Sequence, residues 1–208
     1  MKTARIARRA GVAIVVLLVV LLVVAMLLPR HAIVSRSIEV AAPASAVFPF
    51  VGDLRRFNEW SPWLERDPDV KVTFTGPADG VGQTMNWESK VPTVGSGSMS
   101  ITALDPDQSV AMSIDFGSQG TALASFTLAP KGEATTVTWG FDVDLGFNPI
   151  ARYFGLMMDG QVGPDYEQGL AKLKTVVEAE AKAKAEAEAA AKAEPAPAAP
   201  EADPAAAN

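Results

Sequence analysis

Three hydrophobic patterns follow one another along the chain. Residues 10–28 form an unbroken run of nineteen residues without a charged or strongly polar side chain, nearly all Val, Leu, Ile, Ala or Met. No face of this run is polar, so it predicts a membrane-spanning helix rather than a core helix. At ~1.5 Å per residue it matches the ~30 Å hydrocarbon layer. From residue 34 the apolar positions switch to a period of two, the mark of half-buried strands. Ile38 and Val40 alternate with Ser37 and Glu39 in a first strand. Helical spacing interrupts at residues 43–54, where Val47, Phe48, Val51 and Leu54 share a face and Pro49 marks a short or irregular helix. Residues 57–63 predict a second short helical or turn segment with two tryptophans.

Alternation then resumes in Val70, Val72 and Phe74; in Met85 and Trp87; in Met99, Ile101 and Ala103; in Val110, Met112, Ile114 and Phe116; in Ala122, Ala124, Phe126 and Leu128; and in Val137, Trp139, Phe141, Val143 and Leu145. Turn-forming clusters separate these six strands, as at Asp105-Pro106-Asp107 and Pro130-Lys131-Gly132-Glu133. Short turns of this kind predict an antiparallel meander. The third pattern starts at Asn148-Pro149, a capping residue followed by a proline suited to a first helical turn. Ile150, Tyr153, Phe154, Met157, Met158 and Val162 form one apolar stripe. Gly160 and Gly163-Pro164 are expected to interrupt it before Tyr166, Leu170, Leu173 and Val177 continue. Residues 178–194 are rich in Ala, Glu and Lys and predict a solvated helical extension. Residues 195–208 carry four prolines and predict a disordered spacer.

Charge divides the chain in the same places. The net charge of −6 is the sum of +6 over residues 1–36, −8 over 37–177 and −4 over 178–208. An acidic globular part argues against nucleic acid as a partner, since phosphate recognition needs a basic face. Four basic side chains precede the apolar run and only Arg30 and Arg36 follow it closely. The positive-inside rule therefore predicts a cytoplasmic N-terminus. The globular part is then expected outside the cytoplasmic membrane, in the periplasm of a Gram-negative bacterium. A cleavable signal peptide is the competing reading. Its apolar core would be shorter, roughly 7–15 residues, and would end in small residues, whereas this run ends in Leu27-Leu28-Pro29-Arg30. The expected organisation is a basic N-terminus (1–9), a transmembrane anchor (10–28), a linker (29–33), one α+β domain (34–177), the helical extension (178–194) and the tail (195–208).

Composition removes much familiar chemistry. There is no cysteine, so disulfides, thiolate metal sites and cysteine nucleophiles are excluded. The single histidine, His31, lies just after the apolar run, so neither a Ser-His-Asp triad nor a histidine-rich metal site is available inside the domain. No cofactor or metal is expected. Asp115-Phe116-Gly117 lacks the companions of a kinase motif, and Asp142-Val143-Asp144-Leu145-Gly146 lacks the third acid of a calcium loop.

The order of elements resembles the helix-grip fold of the START-like, SRPBCC superfamily over residues 34–177, and is most similar to its polyketide cyclase/dehydrase-like branch. The resemblance is carried by Ile38-Glu39-Val40-Ala41-Ala42-Pro43, Asn58-Glu59-Trp60-Ser61-Pro62-Trp63, Gly80-Val81-Gly82, Phe126-Thr127-Leu128, Thr136-Val137-Thr138-Trp139 and Gly163-Pro164-Asp165-Tyr166-Glu167-Gln168-Gly169-Leu170. It implies a curved antiparallel sheet wrapped around a long C-terminal helix, with an apolar cavity between them.

Candidate cavity residues on this reading are Trp60, Trp63, Trp87, Met112, Trp139, Phe141, Tyr153, Phe154, Met157 and Met158. Aromatics and methionines at strand and helix spacing equally suit a plain core. The expected function is a membrane-anchored domain binding a lipid or other hydrophobic small molecule. The alternatives are a cyclase or dehydratase using a carboxylate, or a partner-binding envelope protein. For the enzyme, Asp159 is the leading acid, ahead of Asp115, Asp142, Asp144 and Glu88, with Arg152 and Tyr153 as further polar candidates. That reading requires a buried acid facing the cavity with a raised pKa.

Overall fold

The computed structural model describes residues 2–193; the Pro/Ala-rich tail expected at 195–208 lies outside them. The apolar run forms one helix, α1 (Lys2–Leu27). Its segment Arg8–Leu27 has a mean hydropathy of 3.3 and is long enough to cross a membrane. Strand β1 (His31–Val40) follows at once. The strand thus begins earlier than residue 34, because the ladder to its neighbour runs on through Ile33↔Asp142 and His31↔Asp144. Then come α2 (Ala44–Gly52), a 3-10 turn (Arg56–Glu59) and α3 (Pro62–Arg66). Six strands follow: β2 (Lys71–Thr75), β3 (Thr84–Glu88), β4 (Ser96–Asp105), β5 (Ser109–Asp115), β6 (Thr121–Lys131) and β7 (Ala134–Asp144). Two helices close the chain, α4 (Pro149–Gly155) and α5 (Met158–Ala193).

All seven strands form one antiparallel sheet in the order β1-β7-β6-β5-β4-β3-β2. The meander runs from β2 to β7, and β1 joins its far edge. The long α5 lies along β1, and α2 and α3 pack beside it over the concave face, giving the helix-grip arrangement. Val47, Phe50 and Val51 of α2, and Leu54 just after it, are buried there in one core with Val110, Phe126 and Leu128 of the sheet. Tyr166, Leu170, Leu173 and Val177 bury one stripe of α5, as their spacing predicts.

The break before α5 falls at Leu156-Met157 rather than at Gly160 or Gly163-Pro164. Pro164 lies within α5 and is tolerated there, since the residue one turn back is Gly160, which has open space around it. Gly163 and Gly169 serve close packing instead. A Cβ at Gly163 would meet the Arg36 guanidinium at 2.1 Å, and one at Gly169 would lie 2.9 Å from Trp139 Cζ3 and 3.2 Å from Pro62 Cδ. Asn148 caps α4, its Oδ1 accepting from the backbone N–H groups of Ile150 (3.0 Å) and Ala151 (3.2 Å).

Candidate functional site

Because directly paired residues share a face, the ladder registers arrange the concave side chains in rows across the sheet. One row is Arg36, Trp139, Phe126 and Val110; the next is Val34, Phe141, Ala124, Met112 and Ile101. Beyond it stand Ile114, Met99, Met85 and Phe74, with Ala32 and Val143 paired on the β1 side. Trp87 and Val72 pair last, next to Phe116, whose ring centroid is 6.2 Å from that of Trp87. Burial of the bulkiest side chains falls along this series, although Met85, Met99, Val34 and Ala32 stay buried. Val110, Phe126, Trp139, Met112 and Ile101 are buried, whereas Phe141, Val143, Ile114, Phe74, Trp87, Val72 and Phe116 are half-buried. The small side chains Ala122 and Ala124 form the floor between them. The result is an apolar trough, the concave face of the sheet, whose large side chains are less fully covered toward the strand ends where β1 begins.

The deep end of the trough is filled by rings. Trp139 is the hub: it stacks on Tyr166 at 3.8 Å and on Phe126 at 5.1 Å, and meets Trp60 at 5.2 Å and Trp63 at 5.6 Å edge-on. Trp60 is buried and donates Nε1–H to the Phe50 carbonyl at 3.1 Å. Trp63 is half-buried, and its Nε1 donates to Asp165 at 3.1 Å. Arg66 pairs with the same carboxylate, so Asp165 ties α3 to α5. Burial among these rings pushes the Tyr166 hydroxyl well above the usual phenol range. Among the described residues, two buried side-chain polar atoms lack a partner: Ser61 Oγ and Trp139 Nε1. Ser61 stands just before α3 and Trp139 in the middle of β7. An orphaned indole N–H costs roughly 1–3 kcal/mol and marks a place for an acceptor.

The sequence candidates separate into two groups. Trp60, Trp63, Trp87, Met112, Trp139 and Phe141 lie on the concave face or against it. Tyr153, Phe154 and Met157 do not. Phe154 and Met157 are exposed, Met158 is half-buried, and Tyr153 donates its hydroxyl to the Leu21 carbonyl of α1 at 2.8 Å. The helical stripe that includes them is real, but its first part faces α1 and solvent because the chain breaks before α5. Arg152 is buried and serves the end of α1 rather than the trough.

The acids offer no buried proton donor. Asp115, Asp142, Asp144 and Glu88 project from the convex side, where Asp144 pairs with Arg30 at 2.6 Å and Asp142 with His31 at 2.8 Å. Asp159 is exposed, and its hydrogen bonds from Arg36 hold its carboxyl below the usual carboxylate range. A carboxylate held ionised is the reverse of the raised, buried acid that the enzyme reading requires. Arg36 itself went unsingled in the sequence, where it counts as a juxtamembrane base. It projects from the inner face of β1 toward α5, with Asp159 at 2.8 Å and Glu167 at 2.7 Å, and those two acids drive its pKa above the usual range. Gln83 is a second missed residue: fully buried, it bonds the Leu54 N–H, Asp53 and the Ala78 carbonyl, and pins α2 to the β2–β3 loop.

Two surface depressions, of about 610 and 380 Å³, lie at the other end of the strands, one beside Ala41, Gly132 and Glu178, the other beside Phe48, Gly80 and Leu104. Neither includes a residue of the trough. No group of three His, Asp or Glu residues suited to a metal ion occurs among the described residues.

Comparison with known proteins places this geometry. The family described as "Polyketide cyclase / dehydrase and lipid transport" matches residues 31–178. No curated protein matches the chain. Among solved structures, a protein from Thermobifida fusca is similar at 20% identity, with a TM-score of 0.55, covering 70% of this chain and 93% of its own. Protein Ms6760 from Mycobacterium smegmatis is similar at 17% identity (TM-score 0.52; 72% and 92% covered). Truncated norcoclaurine synthase from Thalictrum flavum is similar at 13% identity (TM-score 0.52; 71% and 93% covered). These likenesses are of fold.

Proposed function

The chain belongs to the polyketide cyclase/dehydrase and lipid transport family, and from that premise we propose that it is a membrane-anchored START-like domain that takes an apolar molecule from the bilayer into the space between sheet and α5. One observation carries the reading: on the concave face Phe141, Val143, Ile114, Trp87 and Phe116, toward the strand ends where β1 begins, are half-buried, while Trp139, Phe126 and Val110 farther along the strands are buried. A trough open toward an apolar helix is the arrangement that lets a greasy ligand pass without crossing water. The unpartnered Trp139 Nε1 is a donor only, and Ser61 Oγ can donate or accept. An apolar molecule with an acceptor oxygen for the Trp139 N–H is the ligand class that suits these groups.

α1 serves as the anchor, with the N-terminus in the cytoplasm and the domain on the outer side of the cytoplasmic membrane, as the basic residues before the apolar run support. Tethering raises the effective concentration of the domain at a membrane-borne ligand. The test is native mass spectrometry of the full chain released from detergent, with the lipid extract analysed in parallel. The expected result is a bound species of defined mass, and an N-terminal peptide that retains α1. A chain that carries no such species from any membrane preparation overturns the ligand reading. A mature chain that lacks α1 overturns the anchor.

A further inference from the structure

We propose that α4 and the turn before it form a second membrane-contacting element, lying in the interface of the same bilayer that α1 crosses and clamped to α1 by Arg152 and Tyr153. This rests on the reading of α1 as an anchor. The first observation is an apolar face without a partner. Phe147, Ile150, Phe154, Leu156 and Met157 are each between 49 and 76% exposed, all within one short stretch of chain. A cluster of this kind on a domain surface marks an interaction site.

The second observation fixes its occupant. Arg152 is buried, and its Nη1 donates to the carbonyls of Met26 (2.9 Å), Leu28 (3.3 Å) and Ala25 (3.4 Å) at the end of α1, while Nε donates to Gly146 at 2.9 Å. A cation on the last carbonyls of a helix is favoured by the helix dipole and by the unpaired acceptors there. Ala25, alone in the described apolar run, is buried, beneath this contact. Tyr153 reaches farther back, to the carbonyl of Leu21. Leu21 precedes the end of α1 by six residues, which at ~1.5 Å each is a depth of about 9 Å. The Tyr153 hydroxyl marks the lower level and Arg152, at the end of α1, the upper one, so α4 lies between them, within the ~5–10 Å zone that amphipathic helices occupy at an interface. The exposed apolar face is thus continuous with the lipid-facing surface of α1. Its polar groups meet the condition that lipid imposes, because the Tyr153 hydroxyl and the Arg152 guanidinium both have acceptors. Arg30, 5.6 Å above the Phe147 ring, falls at headgroup level.

The chain contains no cysteine, so single labels can be placed in the full-length protein. The variants Leu18→Cys, Phe147→Cys, Ile150→Cys, Phe154→Cys and Val81→Cys are labelled with an environment-sensitive fluorophore and reconstituted in phosphatidylcholine/phosphatidylglycerol vesicles, with or without nitroxide-bearing lipid. Val81 is an exposed apolar control in the β2–β3 loop, at the far end of the strands. The expected result is loss of emission to lipid-borne nitroxide at 18, 147, 150 and 154, with shielding from iodide, and the reverse at 81. Quenching at 18 with iodide access at 147, 150 and 154 overturns the inference and leaves the anchor standing. No lipid quenching at 18 overturns both. Shielding of 150 and 154 from both quenchers means protein covers the face, which also overturns it. Unchanged tryptophan emission certifies each fold, and the three patch positions keep the test open if one variant does not fold.

Discussion

Placing a methyl group at two glycines of α5 separates helix propensity from packing. Gly160→Ala adds a Cβ with nothing within 4 Å, so it carries only the propensity gain, up to about 1 kcal/mol. Gly169→Ala has the same gain, but its Cβ would lie 2.9 Å from Trp139 Cζ3 and 3.2 Å from Pro62 Cδ. Carbon atoms settle at ~3.5–4.0 Å, so something must give. Trp139 cannot swing aside, being stacked on Tyr166 at 3.8 Å and on Phe126 at 5.1 Å. Pro62 is a ring fixed at the start of α3. The helix must therefore lift from the sheet, and overpacking of this kind costs ~1–3 kcal/mol. Gly169→Ala should then be destabilised by about 1 kcal/mol net, and the two variants should differ by about 2 kcal/mol. Urea titration of the full chain in detergent, followed by tryptophan emission, reads this difference directly. All four tryptophans lie in the domain and none in α1. With a slope of ~1–3 kcal/mol/M the midpoints should separate by about 1 M. Equal stabilisation by both substitutions would refute the close approach of α5 to the sheet.

Three other outcomes are expected. Arg152→Ala removes the donor to three carbonyls at the end of α1; spin labels at Leu18→Cys and Val81→Cys should then show a broadened distance distribution, and Arg152→Lys should not restore it, because an ammonium lacks the planar fork. On acidification, Asp144, Asp159 and Glu39 are held below the ordinary carboxylate range by Arg30, Arg36 and Lys131, respectively. Depressed folded-state values mean that their stabilisation is complete above the unfolded range, near pH ~4, and is lost as pH falls through the folded values. Asp159→Asn should therefore shallow the acid limb of a stability-against-pH curve and leave neutral pH nearly unchanged; an unaltered acid limb would remove the Arg36 pair from the account. Trp139→Phe deletes the unpartnered indole N–H while keeping a ring in the stack. Removing the second ring of this buried hub also leaves a cavity, so it should cost ~1–3 kcal/mol; if the proposed apolar ligand bonds this N–H, its retention in native mass spectra should fall further than in a Trp60→Phe control, and equal retention in the two would remove Trp139 as the polar contact.

Period and turn chemistry made the sheet legible, since each strand has its own alternation and each turn its own Gly, Pro or Asp. The antiparallel order from β2 to β7 follows from short connections, whereas the place of β1 beside β7 does not. Hidden from the sequence was the direction of a helical stripe. Ile150, Phe154 and Met157 have the same spacing as Tyr166, Leu170 and Leu173, but periodicity names a shared face without naming what the face meets. Once the chain breaks at Leu156-Met157, the two halves of the stripe part, one toward α1 and the other toward Trp139. Arg36 was hidden for a related reason. Charge alone suggests an interfacial base, whereas strand parity, the same count that puts Val34 and Ile38 inside, turns it toward Asp159 and Glu167. The orphaned Trp139 Nε1 has no sequence signal at all, because satisfaction of an indole depends on what three other elements bring to it.

The short span between α1 and β1 limits how an anchored domain can act. Helix α1 ends at Leu27 and β1 begins at His31. Three intervening residues extend to ~10 Å at most. Arg152 and Tyr153 shorten even that freedom by fastening α4 to the last turns of α1. A carrier that crosses an aqueous gap needs a tether of the gap's own length, and none exists here between membrane and domain. Under the anchored reading the trough stays at the surface of one membrane. Its ligand must arrive laterally through that bilayer and leave either by the same path or to a partner that comes to the domain. The segment free to reach outward is the far end of α5, whose residues beyond Ala181 are exposed and alternate acidic and basic side chains with alanine. Any meeting with a soluble partner is therefore expected at that end, and exchange of the apolar ligand at the other.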